Sequence, residues 1–248
     1  SAGLPPAQPP HAVELADAVA LYNMMQDVRV LYMVVDTRPH GLFSAGHVDS
    51  AISIELEELG TNCQSASSSS LHARVPIHFA NVNVQSGTRL GFNLCFCHHG
   101  DACTAADAVS AALKNAYGQL APELEHFEVS RIFMVSHDEF HDEFPFACTD
   151  FHCYEESRIY PSSIADRVFL SHWSVASDPH VVCSCLLASH IVNCTPDHPC
   201  CFENDGVKYL RVPVHDDQGA DLLSHLPAAV DFICASLASG GTVLVHCK

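Results

Sequence analysis

Apolar and polar positions follow two rhythms along this chain, a helical period of 3.6 and short continuous apolar runs, and the two take turns from residue 13 to the last strand. Val13, Ala16, Val19, Ala20 and Met24 fall on one helical face. The run Val30-Leu31-Tyr32-Met33-Val34-Val35, closed by Asp36, predicts a short buried strand. Residues 48–54, 94–97 and 130–135 predict three more strands. Residues 102–117 are Ala-rich and helical, with Gly118 as the expected stop, and a charged helix runs from about 137 to 144. Residues 64–70, five of them serine, read as a loop or an insertion. Strands that alternate with helices imply a parallel sheet covered on both faces.

The pattern resets around 154–163, where polar residues and Pro161 interrupt it. Residues 168–170 then predict a strand, 179–188 a helix, 190–194 a strand and 208–214 another strand. Residues 220–237 read as an amphipathic helix with Leu222, Leu226, Ala229, Ile233 and Leu237 on one side. Gly240-Gly241 ends it, and 242–246 is the last strand, expected at the centre of its sheet. The fold class is α/β in two units: a tail at 1–10, a first domain at 11–153, a linker at 154–163 and a second domain at 164–248.

Charge narrows the partners. Eleven Lys+Arg against 29 Asp+Glu give a net −18, which opposes binding to nucleic acid or to an anionic membrane surface. The longest apolar stretch, 181–194, is interrupted by His190 and Asn193 and is too short to span a bilayer. No basic-then-apolar leader is visible, so the cytoplasm is expected, with the nucleus as the alternative. The 13 cysteines are an odd count in that setting, so no disulfide framework is expected. Cys183, Cys185, Cys194 and Cys234 read as small buried hydrophobes.

The candidate chemistry lies at the end of the chain. Residues 241–248, GTVLVHCK, place Cys247 at the end of an apolar β-branched run. A thiol there can face loop N–H groups and a helix N-terminus, which lower its pKa and hold an anion. Asp216 follows the run 209–215 and lies 31 positions before Cys247, with the amphipathic helix between them. An Asp on such a loop can protonate a leaving oxygen and later activate water. Asp217 is adjacent and shares the spacing.

These residues resemble the catalytic domain of a dual-specificity protein phosphatase of the kind that acts on mitogen-activated protein kinases. The matching runs are 167–170, then Ser189-His190-Ile191-Val192-Asn193-Cys194-Thr195-Pro196, then 209–216, 222–233 and 243–247. The resemblance implies that Cys247 is the nucleophile that becomes phosphorylated and Asp216 the general acid. It implies phosphotyrosine and phosphoserine/threonine proteins as substrates, a mitogen-activated protein kinase among them, and no metal or organic cofactor. The family's motif reads H-C-x5-R, and one residue follows Cys247 here, so residues 1–248 by themselves are expected to be inactive.

Asp36-Thr37-Arg38-Pro39 and the run 43–51, FSAGHVDSA, resemble a rhodanese-type domain. Its cysteine loop would be Cys97-His98-His99-Gly100-Asp101, but this one carries Asp101 and no Lys or Arg, so a non-catalytic docking or regulatory domain is expected. The basic cluster by which such domains dock kinases is not visible either: Glu55, Glu57 and Glu58 follow Ala51, with only Arg74 and Arg89 beyond. Cys95, Cys97, His98, His99 and Cys103 contain no C-x2-C pair, so no metal site is expected there. His137 and His141, four apart with Asp138 and Asp142 beside them, read as a solvated helix face. The second reading left open is a catalytically silent pseudophosphatase, or a binding or scaffold protein that works through its rhodanese-like domain.

Overall fold

A computed structural model describes residues 12–27, 29–59, 78, 79, 82, 90–120, 127–150 and 158–248. The expected tail at 1–10, the serine-rich stretch 64–70, Arg74, Arg89 and the start of the expected linker, 154–157, lie outside the described residues. The chain divides into two compact units, Ser1–His152 and Cys153–Lys248.

The first unit is built on five parallel strands. In chain order its elements are β1 (Glu14–Leu15), α1 (Ala18–Gln26), β2 (Leu31–Asp36), α2 (His40–Ala45), β3 (Ile52–Ser53), α3 (Leu56–Leu59), β4 (Leu90–His98), α4 (Ala102–Leu120), β5 (Phe127–Ser136) and α5 (His137–Glu143). The sheet order is β1-β5-β4-β2-β3. Asp36 sits opposite Cys97, and His98 opposite Ser136, so the strands deliver these residues to one edge. Met33, Val35, Phe92, Leu94, Phe96, Ile132 and Met134 alternate onto one face and join Val109 and Leu113 of α4 in a buried cluster. Tyr22 of α1 stacks on Phe144, the residue that caps the end of α5, with ring centroids 4.2 Å apart.

Three expectations for this unit change. Val13 and Ala16 are not helical: Glu14 and Leu15 pair with Phe133 and Met134 as an edge strand. The helix begins at Ala18 because the Asp17 carboxylate accepts the Ala20 amide at 2.7 Å, an N-cap that sets the boundary. Val48 makes only an isolated antiparallel bridge with Cys148, and the strand expected at 48–54 is reduced to β3. Gly118 does not stop α4, which runs on to Leu120, since an interior glycine costs a helix only about 1 kcal/mol.

The second unit holds a mixed sheet. Its elements are β6 (Ser162–Ala165), β7 (Val168–His172), α6 (Trp173–Ala176), a π-helix (His180–Cys185), β8 (His190–Asn193), β9 (Lys208–Arg211), α7 (Leu226–Ala238) and β10 (Val243–Cys247). The order is β6-β7-β10-β8-β9, with β10 central as expected. Only β6 is antiparallel; β7, β10, β8 and β9 run parallel.

The helix expected at 179–188 is a π-helix, in which the Leu186 amide reaches back five residues to the Val181 carbonyl at 2.9 Å. The helix expected from 220 begins as α-helix only at Leu226, behind a 3₁₀ turn, Leu223–His225. Pro227 sits in its first turn, where a missing N–H costs nothing. Phe232, Ile233 and Leu237 pack on Val192, Val212 and Val243, whereas Leu222 and Leu226 are 45% and 43% exposed. Gly241 closes the turn into β10: a Cβ there would lie 2.3 Å from Ser189 Oγ and 2.6 Å from Ser236 Oγ. Cys185 is buried as expected, but Cys183 and Cys234 are exposed, because they lie on the outward sides of their helices.

Candidate active site

Four parallel strands end at the same edge of the second sheet, and they bring together most of the residues singled out from the sequence. Cys247 is the last residue of β10, half-buried, opposite His172 of β7. Its Sγ lies 3.7 Å from the Cys194 carbonyl. His246, one residue earlier, points to the other face and is buried. Burial pulls the His246 imidazole below its ordinary pKa, against the backbone of Cys247, which raises it; His198, Arg211 and His172 lower it further. His246 Nδ1 lies 3.3 Å from the Cys247 carbonyl. The Trp173 ring stacks on His198 at 4.6 Å and tilts toward His246 at 5.7 Å.

The loop after β8 is held rigidly on that same side. Asn193, wholly buried, accepts the Thr195 amide at 3.1 Å and its hydroxyl at 2.6 Å, and donates to the His198 carbonyl at 3.0 Å. Arg211, at the end of β9, donates to the carbonyls of Thr195 and His198 at 3.0 and 2.8 Å and to Cys200 Sγ at 3.2 Å. No buried side-chain nitrogen or oxygen of this turn lacks a hydrogen bond, and this bonding holds its shape. The Asn193–Arg211 bracing and the Trp173–His198 stack have no signature in the sequence, because their members lie 18 (211 − 193) and 25 (198 − 173) positions apart.

Asp216 lies on the loop that leaves β9, the strand two places from β10 in the sheet. The two adjacent carboxylates differ. Asp217 Oδ1 accepts the Gly219 amide at 2.8 Å and is consumed in the turn. Asp216 is exposed, and its carboxylate has no hydrogen bond or ion pair among the described residues.

The corresponding edge of the first unit is different in character. Cys97 is fully buried, and burial first, then the Asp36 carboxylate, pushes its thiol well above the ordinary value. It is therefore a neutral thiol. The N-terminus of α4 is already occupied by a carboxylate: Asp101 accepts the Thr104 amide at 2.8 Å and its hydroxyl at 2.6 Å. Asp36 and Arg38 form a buried, forked ion pair at 2.7 Å, and Arg38 also donates to the Gly46 carbonyl at 2.7 Å. Among the described residues no group of three or more His, Cys, Asp or Glu is placed to hold a metal ion.

His137 is not on a solvated face. It is buried, stacked on His141 with ring centroids 6.0 Å apart, and neither ring nitrogen has a hydrogen bond. Burial lowers its pKa from the ordinary 6.5, Arg38 and His141 add to this, and Asp36 and Asp138 oppose it. The unfolded chain therefore takes up this proton first. Its contribution to stability is complete above about pH 6.5 and is lost as pH falls through the folded value. We expect the urea midpoint of the first unit, read by hydrogen-exchange protection of β4, to fall between about pH 7.5 and about pH 5.5. His137→Phe is expected to flatten that dependence; an unchanged slope would contradict it.

Residues 168–248 match the family described as dual specificity phosphatase, catalytic domain. Dual specificity protein phosphatase Mpk3 of Drosophila melanogaster is 41% identical over 59 residues, 23% of this chain and 14% of that protein. Dual specificity phosphatase 28 of Mus musculus is 49% identical over 43 residues, 17% of this chain and 26% of that protein. A crystal structure of human DUSP28 aligns at 32% identity with a TM-score of 0.30, covering 33% of this chain and 55% of that one. The matched segments thus span about a quarter or less of these two curated relatives. Among the described residues no helix is long and apolar enough to cross a membrane.

Proposed function

We propose that the second unit carries the nucleophile and general acid of a cysteine-dependent dual-specificity protein phosphatase, acting on phosphotyrosine and phosphoserine/threonine in proteins. The observation that carries this reading is Cys247 at the end of the central strand, with the free carboxylate of Asp216 on a loop leaving the same edge. Cys247 as thiolate attacks phosphorus, so the S–P bond forms as the P–O bond breaks. Asp216 gives its proton to the departing oxygen. Water, deprotonated by the Asp216 carboxylate, then cleaves the S–P bond and frees phosphate. Neutral His246 fixes the strand end beneath the sulfur. The thiolate supplies the nucleophile and the carboxyl group the proton transfers of both steps, so the reading needs no metal or organic cofactor.

The first unit is proposed as a rhodanese-like domain that binds rather than catalyses. The five-strand parallel order supports this, as does a neutral, buried Cys97 beside a helix N-terminus filled by Asp101. A mitogen-activated protein kinase remains a candidate substrate by resemblance, and the cytoplasm, with the nucleus as alternative, the candidate location.

The phosphate ligands of this chemistry would come from the loop and helix that follow the cysteine, and their electrostatic contribution usually dominates. A polypeptide of residues 1–248 should therefore hydrolyse an aryl phosphate no faster than its Cys247→Ser variant. Joined after Cys247 to the x5-R remainder of the motif and the following helices of a relative, the completed polypeptide should turn over, and an acid quench should trap phosphocysteine. Turnover that survives Cys247→Ser would sink the proposal. A folded but inactive completed polypeptide would point to the silent scaffold instead.

A further inference from the structure

We infer that the first unit carries a binding site for a small aromatic ammonium ion, in a cavity of about 580 Å³ between α1 and the strands β1, β4 and β5. The cavity follows from what the sequence places around it. β1 is only two residues long, and α1 presents the short side chain of Ala20 there, so the space above the sheet is left open. Leu21 and Met24 of α1 and Phe133 and Val135 of β5 give it apolar walls. Leu15, which also lines it, is 56% exposed, an apolar side chain with room for an occupant against it. Small-molecule sites have this make-up: a few hundred Å³, mostly apolar, with a small number of placed polar groups.

The polar groups select the charge. Three carboxylates line the cavity, Glu14, Asp17 and Asp27, against one guanidinium, Arg131. Arg131 is already held, by Glu14 at 2.5 Å and over the Phe133 ring at 4.5 Å. Asp27 is paired with Arg29 at 2.8 Å. Asp17 spends Oδ1 on the Ala20 amide, and its second oxygen has no partner among the described residues. Asn93, half-buried on β4, donates to Met24 Sδ at 3.3 Å, and its carbonyl oxygen likewise accepts nothing among the described residues. The lining thus offers two open acceptors, one of them charged, and no uncommitted cation, which fits a cation that donates hydrogen bonds.

The sulfurs select the body. Met24 Sδ lies 4.0 Å from Cys95 Sγ on the floor, and a thioether makes favourable contacts with aromatic rings. Burial holds the Cys95 thiol in its protonated form, so it adds no charge beside the ring. Asp17 and Met24 lie seven residues apart along α1, roughly 10 Å, which an arylalkylammonium ion spans with its nitrogen at Asp17 and its ring at Met24. The site belongs to the first unit alone and does not rest on the phosphatase reading of the second, so either can fail without the other.

The test uses residues 1–248 labelled with ¹³C-methyl methionine. The chain's four methionines, Met24, Met25, Met33 and Met134, all belong to the first unit. Met33 and Met134 sit in the cluster under α4, on the other face of the sheet, and serve as internal controls. Titration with 2-phenylethylammonium chloride should shift the Met24 methyl signal saturably and leave those of Met33 and Met134 in place. Phenylacetate, of similar shape and opposite charge, should not. Ala20 is exposed on α1, so Ala20→Phe adds bulk to the cavity rather than to the core, and should abolish the shift with the control signals unmoved. Asp17→Asn keeps a capping oxygen and removes the charge, and should weaken binding about two- to fivefold. The absence of a saturable Met24 shift at millimolar amine, equal binding of phenylacetate, a shift spread over all four signals, or unchanged binding in Ala20→Phe would each overturn the inference.

Discussion

Replacing Arg38 by alanine is expected to unfold the first unit in mild denaturant while leaving the second unit's sheet intact. The substitution strips a guanidinium that grips both oxygens of a wholly buried carboxylate, Asp36, and also ties down the Gly46 carbonyl. Removing one partner of a buried pair typically costs about 3–5 kcal/mol, because the other charge is left with neither solvent nor counter-ion. Against a domain stability of about 5–15 kcal/mol this is a large fraction. Arg38→Lys should recover little, since an ammonium cannot reproduce the fork. Asp36→Leu together with Arg38→Met should cost less than Arg38→Ala alone, because no charge is stranded. Hydrogen exchange across β2 and β4 in increasing urea measures this directly. A midpoint for Arg38→Ala within experimental error of the parent would show that Asp36 is not held by this pair.

The second large effect concerns catalysis. In the completed polypeptide, Asp216→Ala should lower kcat by about 10²-fold or more. Asp217→Ala should change it only a few-fold, since the Asp217 carboxylate is spent on the Gly219 amide. The loss at Asp216 should shrink as the leaving group improves, because an acidic phenol departs without a proton whereas an alkyl alcohol does not. That dependence separates proton donation from mere positioning. Steady-state rates over a series of aryl and alkyl phosphates provide the readout. A loss confined to Asp217→Ala, or one insensitive to the leaving group, would transfer the role away from Asp216.

How much of this was legible in the sequence varied with how local the cause was. The end of β10 was legible because four β-branched or apolar residues between a glycine pair and His-Cys leave one choice of structure, and the sheet placed that strand at the centre. β1 was not legible. Two residues carry no periodicity, and Glu14–Leu15 becomes a strand only because Phe133 and Met134 offer an edge. The Asp17 cap was present as a signal but was outweighed by an apparent helical face that began too early. The π-helix was invisible because its buried residues, Val181, Val182 and Cys185, fit an α-helical pattern equally well.

At the candidate site, residue type and spacing suffice to nominate Cys247 and Asp216, the two residues on which the proposed function rests. Cys194 was misread as a small buried hydrophobe. Its half-exposed position beside Cys247 follows from strand register, which a linear sequence does not contain. His137 was misjudged for a related reason: helical spacing says which residues share a face, but not which face the rest of the fold will cover.

The stack of Trp173 on His198 has a practical consequence for anyone working with this chain in solution. It holds one tryptophan, and that residue sits at the start of α6, against the loop braced by Arg211 and near His246. Excitation at the red edge of the protein's ultraviolet absorption therefore selects the second unit alone, with no label attached. Emission from this ring reports directly on the edge that carries Cys247, while the first unit stays dark in the same measurement. Melting of the second unit can thus be recorded selectively from one unmodified sample.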